Sequence, residues 1–203
     1  PPAFGAPHPQ TPITSSVPQK PIFPADDNQA DKPEVQAKAV KLSDAQILAV
    51  AHAANNGEVE MAELARKNAS AGDVKQFAAM MMTHHRDAMT KERHVQDKAK
   101  LQLEDNDVST QLKGESEAAL SNLRSQSGAD FDRTYINAQV KLHKDVLDTI
   151  DQRLAPDATS ADVKGHLRDM RRNVASHLAK AEALQKKLDP TMAAAHQKDK
   201  ADD

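Results

Sequence analysis

The chain has 203 residues, enough for one domain with a sizeable core plus tails. Aromatic residues make up only 2% and the net charge is −3 with histidines neutral, while Ala, Leu, Val, Met and charged residues dominate, a mix that favours helix over sheet. No dense basic run points to nucleic acid, no apolar run of about 18 residues could span a membrane, and the lack of Cys excludes disulfides and thiolate ligands.

Pro1 to Pro33 holds nine of the eleven prolines, with Gln, Ser, Thr and Asp between them. Such a segment cannot bury enough apolar surface to order itself. It shows neither a charged n-region nor an h-region, and the expectation is a mature exported protein. Residues 1–41 are predicted to be a Pro-rich tail or linker, 42–189 the folded domain and 190–203 a charged tail.

The first predicted helix starts at a capping box, Ser43 with Gln46. Its stripe is Ile47, Ala51, Ala54, Glu58, Met61 and Ala65, at alternating spacings of four and three. Asn68 to Gly72 is a break, and Ser70 with Asp73 is the expected cap of the next helix. That helix is predicted from about Ala71 to about Leu101, with Val74, Phe77, Ala78, Met81, His85, Ala88, Glu92, Val95 and Ala99 on one face. His84 points away from it. A short helix is expected over Ser109 to Ser125, with Gly128 ending the connection.

A third long helix is predicted from about Ala129 to Leu154, with the stripe Ile136, Val140, His143, Leu147, Ile150 and Leu154. Ala155-Pro156-Asp157 reads as a turn, and Thr159 with Asp162 as a capping box. The fourth runs from about Ser160 to Leu188 along Val163, Leu167, Met170, Val174, His177, Ala181, Leu184 and Leu188, and Pro190 stops it. The fold class is therefore all-α: a four-helix bundle whose second connection holds a helix long enough to cross most of the bundle, the ferritin-like topology.

Each long helix carries one ligand-capable residue near the middle of its seam: Glu58, His85, His143 and His177. If the two short turns lie at opposite bundle ends, the four converge within about 9 Å in height. Three imidazoles and a carboxylate suit Zn, Fe, Cu or Ni, and do not suit Ca or Mg. The same residues could instead form a polar layer in which Glu58 accepts hydrogen bonds from the histidines. Met80, Met81, Met82 and Met89 could add soft ligands or simply pack. Glu92 reads as a support for the site or as a local partner of Lys91. His52, His94, His166 and His196 read as surface residues. No nucleophile elbow and no phosphate loop occurs.

The segments LSDAQILAVAHAANNGEVEMAELARKNASAGDVKQFAAMMMTHH, FDRTYINAQVKLHKDVLDTID and HLAKAEAL resemble an exported bacterial family called domain of unknown function forty-one forty-two. Glu58 and Glu60 match its acidic pair, His85 its Asp-His histidine, Phe131-Asp132-x-x-Tyr135 its helix opening, and His143 and His177 its later histidines. The resemblance implies a ferritin-like bundle, secretion to the bacterial envelope and no assigned reaction. The family's usual Asp before the helix-two histidine is His84 here. That local pattern is similar to another exported ferritin-like family, with a Met-x-His-His signature linked to copper.

Di-iron carboxylate proteins use Glu-x-x-His pairs. The residues three before His85, His143 and His177 are Met82, Val140 and Val174, which disfavours a ferroxidase centre. The expected function is an exported bundle holding one transition-metal ion as buffer, carrier or sensor, with no catalysis assigned. The alternative is a metal-free interaction or stress-related module of the cell envelope, its protein partner unspecified.

Overall fold

The computed structural model describes residues 40–189. Most of the predicted N-terminal tail, and all of the charged C-terminal one, fall outside the described residues. Among the described residues the protein is all-α, with no strand. Its helices are α1 (Asp44–Asn68), α2 (Gly72–Ala99), α3 (Asp107–Arg124), α4 (Gly128–Thr149), a π-helical turn (Ile150–Leu154), α5 (Ala155–Asp157) and α6 (Ala161–Leu188).

The capping box at the start of α1 is formed as expected: Ser43 accepts from the Gln46 amide, and the Gln46 side chain accepts from the Ser43 amide. The other two expected boxes are absent. The Ser70 side chain makes no cap bond at α2. The Asp132 carboxylate on α4 accepts instead from the Ser70 and Ala71 amides, at 2.9 and 2.7 Å. At α6 the cap is Ser160 rather than Thr159. Asp44, first residue of α1, accepts from the Thr159 and Ser160 amides, each at 2.9 Å. Local spacing proposed caps at both places; a carboxylate from a distant helix takes the role.

These contacts orient the helices. The α1–α2 turn lies beside the start of α4, and the turn before α6 lies beside the start of α1. Lys98 near the end of α2 pairs with Asp162 at the start of α6, and Lys187 near the end of α6 with Asp73 at the start of α2. So α1 and α2 are antiparallel, α4 and α6 are antiparallel, and the two hairpin turns sit at opposite ends. The chain must travel the length of the molecule between α2 and α4. α3 does so, packed on α1 so closely that a Cβ on Gly57 would collide with Ser116. Gly128 does not end that connection but begins α4, at φ +57°, where glycine is favoured.

The expected turn at Ala155-Pro156-Asp157 is a further turn of helix. Pro156 cannot sit in a regular helix interior, and the wider π turn just ahead of it relaxes the path. Ile150 and Leu154 both stay buried, as their stripe required.

The apolar core falls into two clusters. One holds Met61, Ala65, Phe77, Met81, Tyr135 and Ala181 among others; the other holds Ile47, Ala51, Ile150, Leu167, Met170 and Val174 among others. Between them every long helix contributes buried polar residues: Asn55 and Glu58, His85, Gln139 and His143, and His177.

Asp132 is 2% exposed, so its loss leaves two turn amides unpartnered. Asp132→Ala is expected to cost about 2 kcal/mol, the upper range for a helix cap, while Ser70→Ala costs less than about 0.5 kcal/mol. Urea denaturation with an unchanged m-value checks both. Equal losses would restore the local cap at Ser70.

Candidate metal centre

His85, His143 and His177 come together, and Glu58 stands beside His143 but outside the histidine cluster. One ring nitrogen from each histidine lies within 4.8 Å of the other two. The ring centroids are 5.1 Å apart for His85 and His177, 5.5 Å for His143 and His177, and 6.0 Å for His85 and His143.

The hydrogen bonds of the trio set its chemistry. His85 Nδ1 bonds Asn55 Oδ1 at 2.8 Å, and His143 Nδ1 bonds the Gln139 backbone carbonyl at 2.8 Å. Both partners are acceptors, so each Nδ1 must carry the proton and each Nε2 a lone pair. His177 Nε2 meets His84 Nδ1 at 2.9 Å. The opposite nitrogens, His85 Nε2, His143 Nε2 and His177 Nδ1, are buried without a partner. An imidazole held through one nitrogen by a protein acceptor, with the other left bare, is the form in which histidine binds metal.

Glu58 stands beside the trio. Its Oε2 accepts from Gln139 Nε2 at 2.7 Å, and its Oε1 lies 3.7 Å from His143 Nδ1. It also lines, with His85 and His143, a cavity of about 10 Å³ bordered by Ala54, Val146, Met170 and Val174. That volume suits one water or one ion and no organic cofactor. Asn55 Nδ2, Gln139 Oε1 and the Tyr135 hydroxyl are further buried polar atoms without partners.

Burial, and then the neighbouring histidines, push the His85 pKa well below the usual value. Burial also brings His177 to about 3, helped by His143, His84 and Lys180. Glu58 is raised by burial, against the pull of His143 and Gln139. The layer thus favours the neutral, ligating form of His85 and His177.

A family model matches residues 29–184, that of the domain of unknown function DUF4142. The chain belongs to the DUF4142 family. No curated protein and no solved structure matches it. For this DUF4142 chain the geometry itself therefore describes the site: three buried histidines that could hold a metal ion.

Several side chains escaped the sequence reading. Asn55 and Gln139 lie three before Glu58 and four before His143, a helical spacing that would have placed them beside the site. His84 was expected to point elsewhere; it is exposed, yet it leans across to His177 on α6. Met81 packs in the core as the packing alternative required, and Met80 Sδ takes a contact from Lys180 Nζ at 3.1 Å. His166, expected at the surface, is buried, and burial lowers its pKa against Glu92 and Asp169. Glu92 pairs with His52 at 3.1 Å and with Gln96 at 2.9 Å rather than with Lys91. His196 lies outside the described residues.

Because folded His177 titrates near 3 and an unfolded histidine near 6.5, the unfolded chain takes up the proton first as pH falls. His177 therefore costs nothing above about pH 6.5 and costs progressively more down to about pH 3. His85 acts with the same sign; Glu58 and His52, both raised, favour folding at low pH and lose that effect as pH rises. The stability of the metal-free protein minus that of His177→Leu should fall between about pH 7 and about pH 4 in urea titrations. A flat difference would mean that His177 titrates normally.

Proposed function

We propose that this chain is a ferritin-like four-helix bundle, exported to the bacterial envelope, that holds one transition-metal ion in its core as a buffer, carrier or sensor. The observation that carries this reading is three buried histidines, each offering a ring nitrogen within 4.8 Å of the other two and each with one buried ring nitrogen left without a partner, two of them with the opposite nitrogen anchored on an acceptor. His85, His143 and His177 would be ligands, with Glu58 completing the set from the adjoining cavity. Imidazole ligands favour zinc, iron or copper over calcium and magnesium. Two antiparallel hairpins joined by one long crossover support the ferritin-like assignment. One carboxylate with three histidines differs from the paired Glu-x-x-His sets of di-iron oxidases, which argues for binding without ferroxidase turnover.

Export rests on the Pro-rich stretch before α1 and on the family resemblance; fractionation of the native host tests it. The competing reading is a metal-free polar layer serving an interaction module. Against it stands the cost of the layer, about 1–3 kcal/mol for each buried polar atom left without a partner.

Titrating Zn(II), Cu(II) or Fe(II) into the tag-free protein while recording Tm tests the reading. At an ion concentration about 100 times Kd, wild type should gain about 2.7 kcal/mol. His143→Leu should abolish that gain while its metal-free stability holds or rises, since leucine removes an unpartnered nitrogen. No wild-type response to any of the three metals would leave the interaction module as the better account.

A further inference from the structure

The three histidines differ in what stands behind them. Behind His85 is the side chain of Asn55, itself 1% exposed. Behind His143 is the Gln139 carbonyl, within the same helix, and Gln139 is fully buried. Neither offers a way out. Behind His177 is His84, an exposed imidazole. The two rings stack at a centroid distance of 5.1 Å and an interplanar angle of 24°. His84 thus stands over the one trio member whose far nitrogen is joined to a solvent-facing ligand.

An ion cannot reach buried nitrogens with its hydration shell intact. It must exchange waters for protein ligands one at a time, and each ligand must be within reach of the next. We propose that His84 is the exchange ligand through which a divalent ion passes between solvent and the trio, a proposal that rests on the metal reading above. An ion bound first by His84 passes to His177 when that ring turns its Nδ1 outward, and the return of the ring brings the ion against His85 and His143. Proton bookkeeping is neutral throughout. With the ion on His177 Nδ1, the ring proton sits on Nε2 and is donated to His84 Nδ1, whose own proton sits on Nε2 toward solvent. No proton need be gained or lost.

The alternative role for His84 is positional: it would hold the His177 ring and tautomer without touching the ion. The two roles differ in kinetics. A carrier speeds entrance and exit alike and leaves Kd little changed; a positioning residue changes Kd, through release. Stopped-flow loading of the full chain with Co(II), followed by release to excess EDTA, reads both rates, with Co(II) absorption as the signal. For His84→Ala we expect both rates to fall by about tenfold, with Kd within about threefold of wild type. His84→Asn can still accept from His177 Nε2 but is a poor ligand, so it should behave as His84→Ala does. His94→Ala, an exposed histidine further along α2, should match wild type.

Unchanged or faster rates in His84→Ala would overturn the proposal, the latter because His84 would then be a cover and not a carrier. So would rescue by asparagine of an effect confined to Kd. Failure of wild type to bind Co(II) and to respond to Zn(II), Cu(II) or Fe(II) would overturn the metal reading together with the relay, whereas Co(II) binding with rates unaltered in His84→Ala would sink the relay alone.

Discussion

The structure depends on a polar layer that cuts its core in two. On α1 the apolar run through Ala54 gives way to Asn55 and Glu58 before Met61 resumes it; on α6 Val174 gives way to His177 before Ala181. The same interruption falls on α2 at His85 and on α4 at Gln139 and His143. A bundle could bury more apolar area by filling these positions with Leu or Val, at roughly 1.5–3 kcal/mol for each fully buried side chain. The layer therefore costs stability unless something completes it. Its internal bonds complete half: Asn55 to His85, Gln139 to Glu58 and to His143. The buried ring nitrogens without a partner are the other half.

Alignment of the layer follows from how the two hairpins meet. Each hairpin turn is tied to the other hairpin by a carboxylate, Asp132 on the α1–α2 turn and Asp44 on the turn before α6. Both bonds join residues more than sixty positions apart, so they set the height of one hairpin against the other. A slip of one residue along an axis is about 1.5 Å, enough to part a 2.8 Å hydrogen bond in the layer. The two end contacts and the central layer thus specify the same register from three levels.

Much of this was legible in the chain because helices obey a period. Stripes at spacings of three and four placed Glu58, His85, His143 and His177 on the seams, and rise per residue placed them at similar height. What stayed hidden was set by partners distant in sequence. Ser70 and Thr159 satisfy the local pattern of a cap, but nothing nearby announces that Asp132 and Asp44 take the amides instead. His84 lies off its own apolar stripe, and its meaning arises only when α6 brings His177 beside it. His166 reads as a polar residue between Gly165 and Leu167, and is buried because α6 packs both its flanks. Pro156 signals a break, and the π turn absorbs it.

The electrostatics of the layer bear on what could complete it. A cation is favoured near Glu58, whose carboxyl is raised by burial and lacks a full positive partner. A proton on any of the trio would supply that charge, but burial and mutual repulsion hold His85 and His177 neutral far below their usual range. His85 and His143 line, with Glu58, a space too small for a side chain, and each of the three histidines keeps a buried ring nitrogen without a partner. A metal ion would accept the lone pairs and lower the Glu58 pKa. A water molecule could donate to only two of the three nitrogens and would bring no charge. This difference in donor count and charge is the physical ground for preferring an ion to solvent at the centre of the layer.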